Sequence, residues 1–371
     1  MNILSEIPAS LAAHIPIKAA ILQAGIAARA KILCQHLGKV LVVADQNTKD
    51  FVDIEGEKII LPGNQKAELE TAQALSRYKP DYFIAVGSGS LNDIVKYAAH
   101  LAGKPYIVFG TAPSMNGYAS PNASLLEAGY KKSFAAKAPE YIYLDLEILA
   151  AAPRRLINSG IGDSICRATA QADVLLSAQI RNTPDYAELF SLLQKYEKDI
   201  FDNTESLAKT LIFGGIAMLL AKSSAPASQG EHMLAHYMEL MQPDAEMSFH
   251  GEQIAVTVLT MAQMQEKLLR EKENVEIAEI DEAEILAHFG TEFGQYCLQQ
   301  TRAKYQGISK IKIDKSRIEK TLINAETLRK QLQMIKAPVN AKDIGWDDAI
   351  YANGLNFARY TRDRFTFLDL V

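Results

Sequence analysis

The chain has 371 residues, of which 48% are hydrophobic and 22% are charged. This balance is typical of a globular protein and excludes a largely disordered chain. The 39 Lys and Arg residues against 44 Asp and Glu give a net charge of −5, and no segment concentrates positive charge. Nucleic-acid binding is therefore not expected. At roughly 150 residues per domain, the length predicts two or three domains.

Features of exported or membrane-inserted proteins are not predicted. The most apolar run, Leu211–Ala221, is shorter than the roughly 20 residues that a membrane helix needs. The first residues carry Glu6 and lack a basic start before an apolar core, so they do not resemble a signal peptide. The three cysteines lie far apart and predict no disulfide framework. We therefore expect a cytoplasmic protein without membrane insertion.

The first 150 residues alternate short β-rich runs with helical segments. Helical patterns at Gln65–Tyr78 and Leu91–Leu101 separate some of these runs. Continuous apolar strands that alternate with helices are typical of a parallel sheet covered on both faces, so residues 1–150 are predicted to form an α/β domain. The predicted strands are Leu41–Asp45, Glu57–Gly63, Asp81–Gly89, Pro105–Gly110 and Tyr141–Leu146.

The strand signals stop at about Ala151. The segments SGIGDSICRATAQADVLLSAQI, YAELFSLLQKYEKDIF and SLAKTLIFGGIAMLLAK have helical spacing and few turn residues. Residues 151–371 are therefore predicted to be all-α.

A glycine-rich turn with the sequence VGSGSLND, Val86–Asp93, follows a predicted strand and opens a helix. Glycines at such a turn let the backbone approach a phosphate, and the helix N-terminus offers N–H groups to an anion. The pattern is shorter than the full GxGxxG of dinucleotide-binding proteins, so an ordinary strand-to-helix turn explains it equally well.

Two further features lie at predicted strand ends. Asp45 ends a strand where an acid can accept hydrogen bonds from the ribose of NAD and disfavour NADP, although a turn aspartate is at least as common. The segment Gly110–Ser124 follows the fourth strand and is rich in Gly, Pro and hydroxyl side chains. Open α/β sheets bind ligands at such loops, but a plain surface loop remains the alternative.

Three of the seven histidines lie between residues 232 and 250. His232 and His236 share one face of a predicted helix, and His250 begins another helical stretch. Asp163 in SGIGDS is placed to be held near a helix start. One Asp with two His suits a divalent ion such as Zn²⁺ or Fe²⁺ and leaves open positions for substrate. Hydrogen-bonded imidazoles without a metal are the alternative, and Glu231 precedes the first His, which excludes the HExxH motif.

Taken together, these motifs resemble the glycerol-1-phosphate dehydrogenase branch of the iron-containing alcohol dehydrogenase and dehydroquinate synthase superfamily. The resemblance covers about Lys18 to Val258. In chain order, the segments similar to the family's pyrophosphate turn, second cofactor loop and three metal-ligand segments are VGSGSLNDIVKY, FGTAPSMNGYASPNAS, SGIGDSICR, SSAPASQGEHMLAHYMEL and FHGEQIAV.

The resemblance implies a fold and a reaction. The fold is a Rossmann-like NAD(P)-binding α/β domain, residues 1–150, and a helical metal- and substrate-binding domain of the dehydroquinate synthase type, residues 151–371, with an active-site cleft between them. The family reaction is the NAD(P)H-dependent reduction of dihydroxyacetone phosphate to sn-glycerol 1-phosphate, a step toward phospholipids. It uses one divalent ion, zinc first, with iron or nickel as alternatives. A homodimer or larger homo-oligomer is also implied.

The resemblance assigns roles to individual residues. Those that match the metal ligands are Asp163, His232 and His250. Those that match the pyrophosphate turn are Gly87, Ser88, Gly89, Ser90 and Asp93, and those that match the nicotinamide-side loop are Thr111, Ser114 and Ser120. His236 matches a position beside the metal, where it is expected to relay a proton or contact substrate.

Two departures from the family pattern fall near the substrate. The family sequence APSHDG becomes APSMNG, so Asn116 keeps hydrogen-bonding capacity but loses a charge. The family sequence SSRPASG becomes SSAPASQG, so Ala225 stands where an Arg, a natural phosphate clamp, is expected. Lys222 is predicted to replace that Arg, although a point charge is not equivalent to a guanidinium.

Three alternatives remain open. The first is a glycerol or polyol dehydrogenase of the same superfamily with another substrate. The second is a dehydroquinate synthase-like lyase, whose substrate needs several Lys and Arg, whereas the segments around Asp163 and His232 offer only Arg167 and Lys222. The third is a non-catalytic metal- or nucleotide-binding relative, which the intact metal-ligand set disfavours.

Overall fold

The computed structural model describes residues 1–127, 130–243, 245, 248–271, 280–308 and 313–370, with the side chains of residues 130 and 131 left out. The chain forms two compact units, Met1–Ser164 with Leu192–Ser223, and Ile165–Ser191 with Ser224–Val371. This division differs from the predicted boundary after residue 150, because residues 151–164 and 192–223 belong to the sheet-bearing first unit. Each unit is described separately.

The first unit contains a six-stranded sheet in which every neighbouring pair is parallel. The strands are β1 (Ala19–Leu22), β2 (Val40–Asp45), β3 (Glu57–Leu61), β4 (Tyr82–Gly87), β5 (Tyr106–Gly110), β6 (Asn122–Glu127), β7 (Tyr130–Ala135) and β8 (Tyr141–Leu144). The order in the sheet is β1-β8-β5-β4-β2-β3, and β6 and β7 form a separate antiparallel pair. The predicted parallel α/β fold is confirmed, whereas β1, β6 and β7 were not predicted.

The burial of each strand matches its position in the sheet. All five residues of β5, and all but the first residue of β4, are buried, as expected of central strands covered on both faces. At the sheet edge, β3 is mostly exposed and carries Glu57 and Lys58, charged side chains that protect an edge strand from pairing with another chain.

Along the chain, helices lie between the strands of the first half and make up the second half. Within the described residues no strand lies beyond β8, so the predicted helical second half is confirmed. The helices are α1 (Ala9–Ala12), α2 (Ala30–Cys34), α3 (Leu69–Ser76), α4 (Gly89–Ala102), α5 (Leu146–Ala151), α6 (Arg154–Arg181), α7 (Ala187–Gln194), α8 (Thr204–Ala221), α9 (Gly230–Met241), α10 (His250–Glu271), α11 (Glu282–Phe289), α12 (Thr291–Tyr305), α13 (Lys315–Glu319), α14 (Ala325–Met334) and α15 (Asp348–Phe357).

Helix α8 contains the most apolar run of the chain and is longer than that run. It begins at an Asn203 side chain that accepts the Ser206 N–H, and it ends at Lys222, which has a left-handed φ of 49°. By length and composition α8 could cross a membrane, but 72% of it is buried inside the structure. It is a core helix of the first unit.

Candidate active site

The sheet order changes direction at β2, which pairs with both β3 and β4. In open α/β sheets, ligands bind beyond the carboxyl ends of the strands at such a reversal. The two strand ends at this point are Asp45 and Gly87. The structure therefore brings together two features that the sequence analysis had assigned separately to a cofactor.

The glycine-rich turn links β4 to α4. A Cβ atom at Gly87 would lie 2.9 Å from the Leu91 side chain, so packing within the protein requires glycine there. At Gly89 an added Cβ would make only an ordinary contact, 3.4 Å from Met115. The fold itself does not require glycine at residue 89.

Other predicted groups of this region are engaged within the protein. Asp45 Oδ1 accepts the backbone N–H groups of Asn47 and Thr48 at 2.8 and 2.9 Å, the pattern of a turn aspartate. Ser88 is the residue before α4 and makes no side-chain capping bond, and Ser90 is exposed in the first turn. The turn explanation of Asp45 is therefore observed, whereas its contact with a ribose stays a prediction.

A buried lysine that the sequence analysis missed ties the second loop to α4. Lys96 is fully buried, and its Nζ donates to the backbone oxygens of Gly117 at 2.6 Å and Asn122 at 2.8 Å. Asp93 Oδ1 lies 3.4 Å from that Nζ, and Asp93 Oδ2 accepts the Ser124 N–H at 3.0 Å. Burial lowers the pKa of Lys96, and the charge of Asp93 opposes that shift. Both oxygens of Asp93 therefore help to hold the loop. The sequence signal for this contact is the spacing of Asp93 and Lys96, which lie three residues apart on one helix face.

The second loop is buried and well connected. The Thr111 N–H donates to Gly87 O at 3.2 Å, which joins the two predicted cofactor segments. Ser114 O accepts the Ser159 hydroxyl at 3.2 Å, and the Ser120 hydroxyl lies 3.0 Å from Asn122 O. The predicted residues Thr111, Ser114 and Ser120 therefore lie in one ordered loop of the first unit.

Glycines on two helices let this loop pack closely. A Cβ at Gly160 of α6 would lie 1.7 Å from Pro113 O, and one at Gly215 of α8 would lie 2.6 Å from Asn116 O. Asp163 lies inside α6 and not near a helix start as predicted. It is buried and accepts the Asn116 N–H through Oδ2 at 2.8 Å. The structure therefore brings the predicted residues Asn116 and Asp163 into direct contact.

In the second unit, three histidines cluster where α9 and the start of α10 meet. His232 Nε2 lies 3.3 Å from His250 Nε2. The His236 ring is centred 6.0 Å from that of His232 and 6.1 Å from that of His250. Two histidine nitrogens that each bind a tetrahedral zinc at about 2.05 Å lie about 3.3 Å apart, so the observed pair fits one ion.

A buried carboxylate orients the first of these histidines. Glu231 Oε1 lies 3.0 Å from His232 Nδ1 and accepts the Gln229 N–H at 2.7 Å, while Oε2 accepts the Thr169 hydroxyl at 3.2 Å. Because a carboxylate accepts, Nδ1 carries the proton and the Nε2 lone pair faces His250. From the sequence, Glu231 served only to exclude HExxH, and this supporting function was not predicted.

A second buried acid fixes the start of α9. Asp173 accepts the N–H groups of Gly230 and Phe367, each at 3.0 Å. A Cβ at Gly230 would lie 2.9 Å from Asp173 Oδ2, so this approach requires glycine. Burial, followed by the charge of Glu231, raises the pKa of Asp173 well above its usual value. These contacts set the position from which His232 and His236 project.

The departure at Ala225 and the lysine predicted to compensate for it, Lys222, differ in their surroundings. Lys222 is exposed at the end of α8 in the first unit. Ala225 lies in the second unit at the start of a 3-10 turn, Ala225–Ala227. On either side of that turn, Arg364 donates to the Ser224 hydroxyl at 2.5 Å and to the Ser228 hydroxyl at 3.1 Å. Arg364 was not predicted, although the run RYTRDRF is rich in arginine.

Comparison with known proteins identifies the class. Residues 22–153 match the family model of iron-containing alcohol dehydrogenase. A solved structure of a probable glycerol dehydrogenase from Sinorhizobium meliloti has the same fold, with a TM-score of 0.64 over 96% of this chain and 92% of that one, at 15% identity. The fold is that of the iron-containing alcohol dehydrogenase class.

Curated relatives narrow the class to one family. The glycerol-1-phosphate dehydrogenase [NAD(P)+] of Sulfurisphaera tokodaii is 34% identical over 233 residues, which are 60% of this chain and 66% of the relative. That of Metallosphaera sedula is 33% identical over 251 residues, 61% of this chain and 70% of the relative. The chain belongs to the glycerol-1-phosphate dehydrogenase family, as predicted. The alignment with the first relative spans just under two thirds of its length.

Proposed function

We propose that this chain is a metal-dependent NAD(P) oxidoreductase that reduces dihydroxyacetone phosphate to sn-glycerol 1-phosphate. The observation that carries the proposal is the 3.3 Å separation of His232 Nε2 and His250 Nε2, with the His232 tautomer set by Glu231. The relatives named above are glycerol-1-phosphate dehydrogenases that use NAD(P)+, which supports both the cofactor and the phosphorylated substrate.

Asp163, His232 and His250 are proposed as the ligands of one divalent ion, zinc first, with iron or nickel as alternatives. One carboxylate and two imidazoles are a donor set that suits these ions. The Asn116 N–H holds one oxygen of Asp163, the kind of supporting bond that orients a metal ligand. When bound, the ion supplies Lewis acidity to the substrate carbonyl.

NAD or NADP is proposed to bind at the carboxyl ends of β2 and β4. The glycine turn Gly87–Ser90 would face the pyrophosphate, since nothing within the protein requires glycine at residue 89. Thr111, Ser114 and Ser120 would shape the nicotinamide side, and Asp45 would face the ribose. Asp93 contributes indirectly by holding the loop through Lys96 and Ser124.

His236 is proposed to move the proton that the reduced carbonyl oxygen takes up. It lies one helical turn after His232, so both side chains are on one face of α9. An imidazole is suited to this function because its ordinary pKa is close to neutral pH. Resemblance also supports a homodimer or larger assembly, and a cytoplasmic location is proposed from the sequence alone.

A polyol dehydrogenase with an unphosphorylated substrate is the second candidate. Ala225 favours it, since the side chain of this residue cannot bind a phosphate. Within the same superfamily, this candidate changes the substrate and leaves the metal and cofactor assignments as proposed.

The deciding experiment is to incubate zinc-loaded protein with NADH and dihydroxyacetone phosphate, with dihydroxyacetone in parallel, and to follow NADH oxidation. Turnover of the phosphorylated ketone with His232→Ala inactive and unable to bind zinc supports the proposal. Preference for the unphosphorylated ketone supports the second candidate. Activity in metal-free His232→Ala would contradict both.

A further inference from the structure

The buried thiol of Cys166 lies close to the pair formed by Glu231 and His232. Cys166 belongs to α6, and its Sγ donates to the Ala227 backbone oxygen at 3.5 Å. Its sulfur, a Glu231 carboxylate oxygen and a His232 ring nitrogen all lie within 4.8 Å of one another. All three residues are in the second unit and are buried. A sulfur, an oxygen and a nitrogen donor therefore surround one small volume.

The other two cysteines have different surroundings. Cys34 and Cys297 are also buried, but among the described residues neither belongs to a group of His, Cys, Asp and Glu donors close enough to share an ion. Burial raises the pKa of Cys34 to about 11 and that of Cys297 to about 12, so both stay protonated at neutral pH. Cys166 differs from them by its two neighbouring donors, and they provide matched controls.

The bond between Glu231 and His232 lies where a cation between these donors would bind. Glu231 Oε1 and His232 Nδ1 are 3.0 Å apart. A tetrahedral ion of the size of zinc, bound to one carboxylate oxygen and one imidazole nitrogen, holds these two atoms about 3.4 Å apart. The pair therefore needs to separate by only about 0.4 Å to replace the shared proton with such an ion. The third donor is a sulfur, which favours soft cations over hard ones.

We propose that Cys166, Glu231 and His232 form a second metal position, which takes a soft divalent cation such as cadmium. When the cation binds, the Cys166 thiol releases its proton to solvent, and the proton on His232 Nδ1 is transferred to Nε2. The sulfur, one Glu231 oxygen and Nδ1 then each donate an electron pair to the cation. A neutral imidazole has one lone pair, so Nε2 can no longer bind the catalytic ion. The two cations therefore compete for His232. This competition rests on the proposed function, whereas the soft-cation position itself does not.

The binding test is a cadmium titration of the metal-free protein, followed by the ultraviolet absorption of the sulfur–cadmium bond. The unaltered protein should show this band. Cys166→Ser should remove it and weaken cadmium binding at least about tenfold, because a hydroxyl is a poor ligand for a soft cation. Cys34→Ser and Cys297→Ser should keep both the band and the affinity. A band that persists in Cys166→Ser, or that is lost in either control, would overturn the inference.

Cadmium NMR of the unaltered protein keeps the inference testable if Cys166→Ser does not fold. A thiolate ligand moves the cadmium resonance far downfield of the position given by nitrogen and oxygen ligands alone. A downfield resonance supports the position at Cys166, and a resonance typical of nitrogen and oxygen ligands contradicts it.

A competition test separates this inference from the proposed function. In the zinc-loaded protein, cadmium should inhibit reduction of dihydroxyacetone phosphate, and Cys166→Ser should need at least about tenfold more cadmium for the same inhibition. A cadmium band that depends on Cys166, in a protein that does not reduce the ketone phosphate, would contradict the proposed reaction and keep the soft-cation position. Equal inhibition of both proteins would overturn the competition for His232.

Discussion

Glu231 and His232 are neighbours in the sequence, and the carboxylate of the first lies 3.0 Å from Nδ1 of the second in a fully buried setting. The same carboxylate also accepts a backbone N–H and the Thr169 hydroxyl. Two of these bonds hold the carboxylate, and the third orients the imidazole so that its Nε2 lone pair faces His250.

Replacing Glu231 with Gln should lower zinc affinity about tenfold to a hundredfold, because the supporting carboxylate no longer sets the His232 tautomer. The measurement is competitive zinc titration with a chromogenic chelator. Glu326→Gln, at an exposed glutamate on α14, is the control. Equal zinc affinity in the Glu231→Gln and control proteins would exclude this orienting role.

Replacing Gly215 with Ala should destabilise the first unit by about 1–3 kcal/mol, because the new Cβ would lie 2.6 Å from the Asn116 backbone oxygen. Gly214→Ala is a control one residue away, where the Cβ would lie 3.4 Å from the Asn116 side chain. The control should be neutral or slightly stabilising, since alanine favours helix. Urea unfolding of both proteins measures the difference, and equal midpoints would contradict the packing argument.

Replacing Gly89 with Ala should weaken NADH binding about tenfold, or about 1.4 kcal/mol, without lowering Tm. Within the protein, an added Cβ at this residue makes only an ordinary contact, 3.4 Å from Met115, so a loss of affinity reports a ligand close to the backbone. Fluorescence titration with NADH measures affinity, and a thermal melt measures stability. Gly87→Ala gives the opposite result, a lower Tm, because its Cβ would lie 2.9 Å from Leu91. Undiminished NADH affinity in Gly89→Ala would argue against a cofactor at this turn.

Asp173 should make stability depend on pH. Its pKa is raised well above 3.8 in the folded state, so the folded protein holds a proton that the unfolded chain releases. The resulting stability is complete below about pH 4 and is lost as pH rises through the folded pKa. Asp173→Asn should flatten the fall in the free energy of unfolding above pH 4, measured by urea unfolding. Asp348→Asn, at an exposed residue, should keep the original slope, and a matching slope in Asp173→Asn would rule out this acid as the cause.

Local patterns were enough to predict most of the sheet. The strands β2, β4, β5 and β8 are short apolar runs bounded by turn residues, and each lies within or close to its predicted range. The strand β1 has only four residues, and the pair β6 and β7 carries polar residues such as Ser124 and Lys132 in place of an apolar run. Such strands depend on their partners and carry a weak signal of their own.

In the candidate site, too, only part of the structure could be predicted from the sequence. His232, His236 and His250 were found because they are close in sequence and chemically distinctive. The groups that hold them were missed, since Asp173 and Phe367 are 194 residues apart and Lys96 reaches carbonyl groups more than twenty residues away. Contacts over such separations leave no periodic signal in the chain.

The bond between Asp173 and the Phe367 N–H also has a consequence for synthesis. A ribosome makes the histidines of α9 and α10 well before residue 367, so the nascent chain carries these proposed ligands before the start of α9 is fixed from both sides. Contacts of such long sequence separation form late in folding. A metal at the proposed site should therefore enter a nearly finished polypeptide, and incomplete translation products should bind zinc poorly.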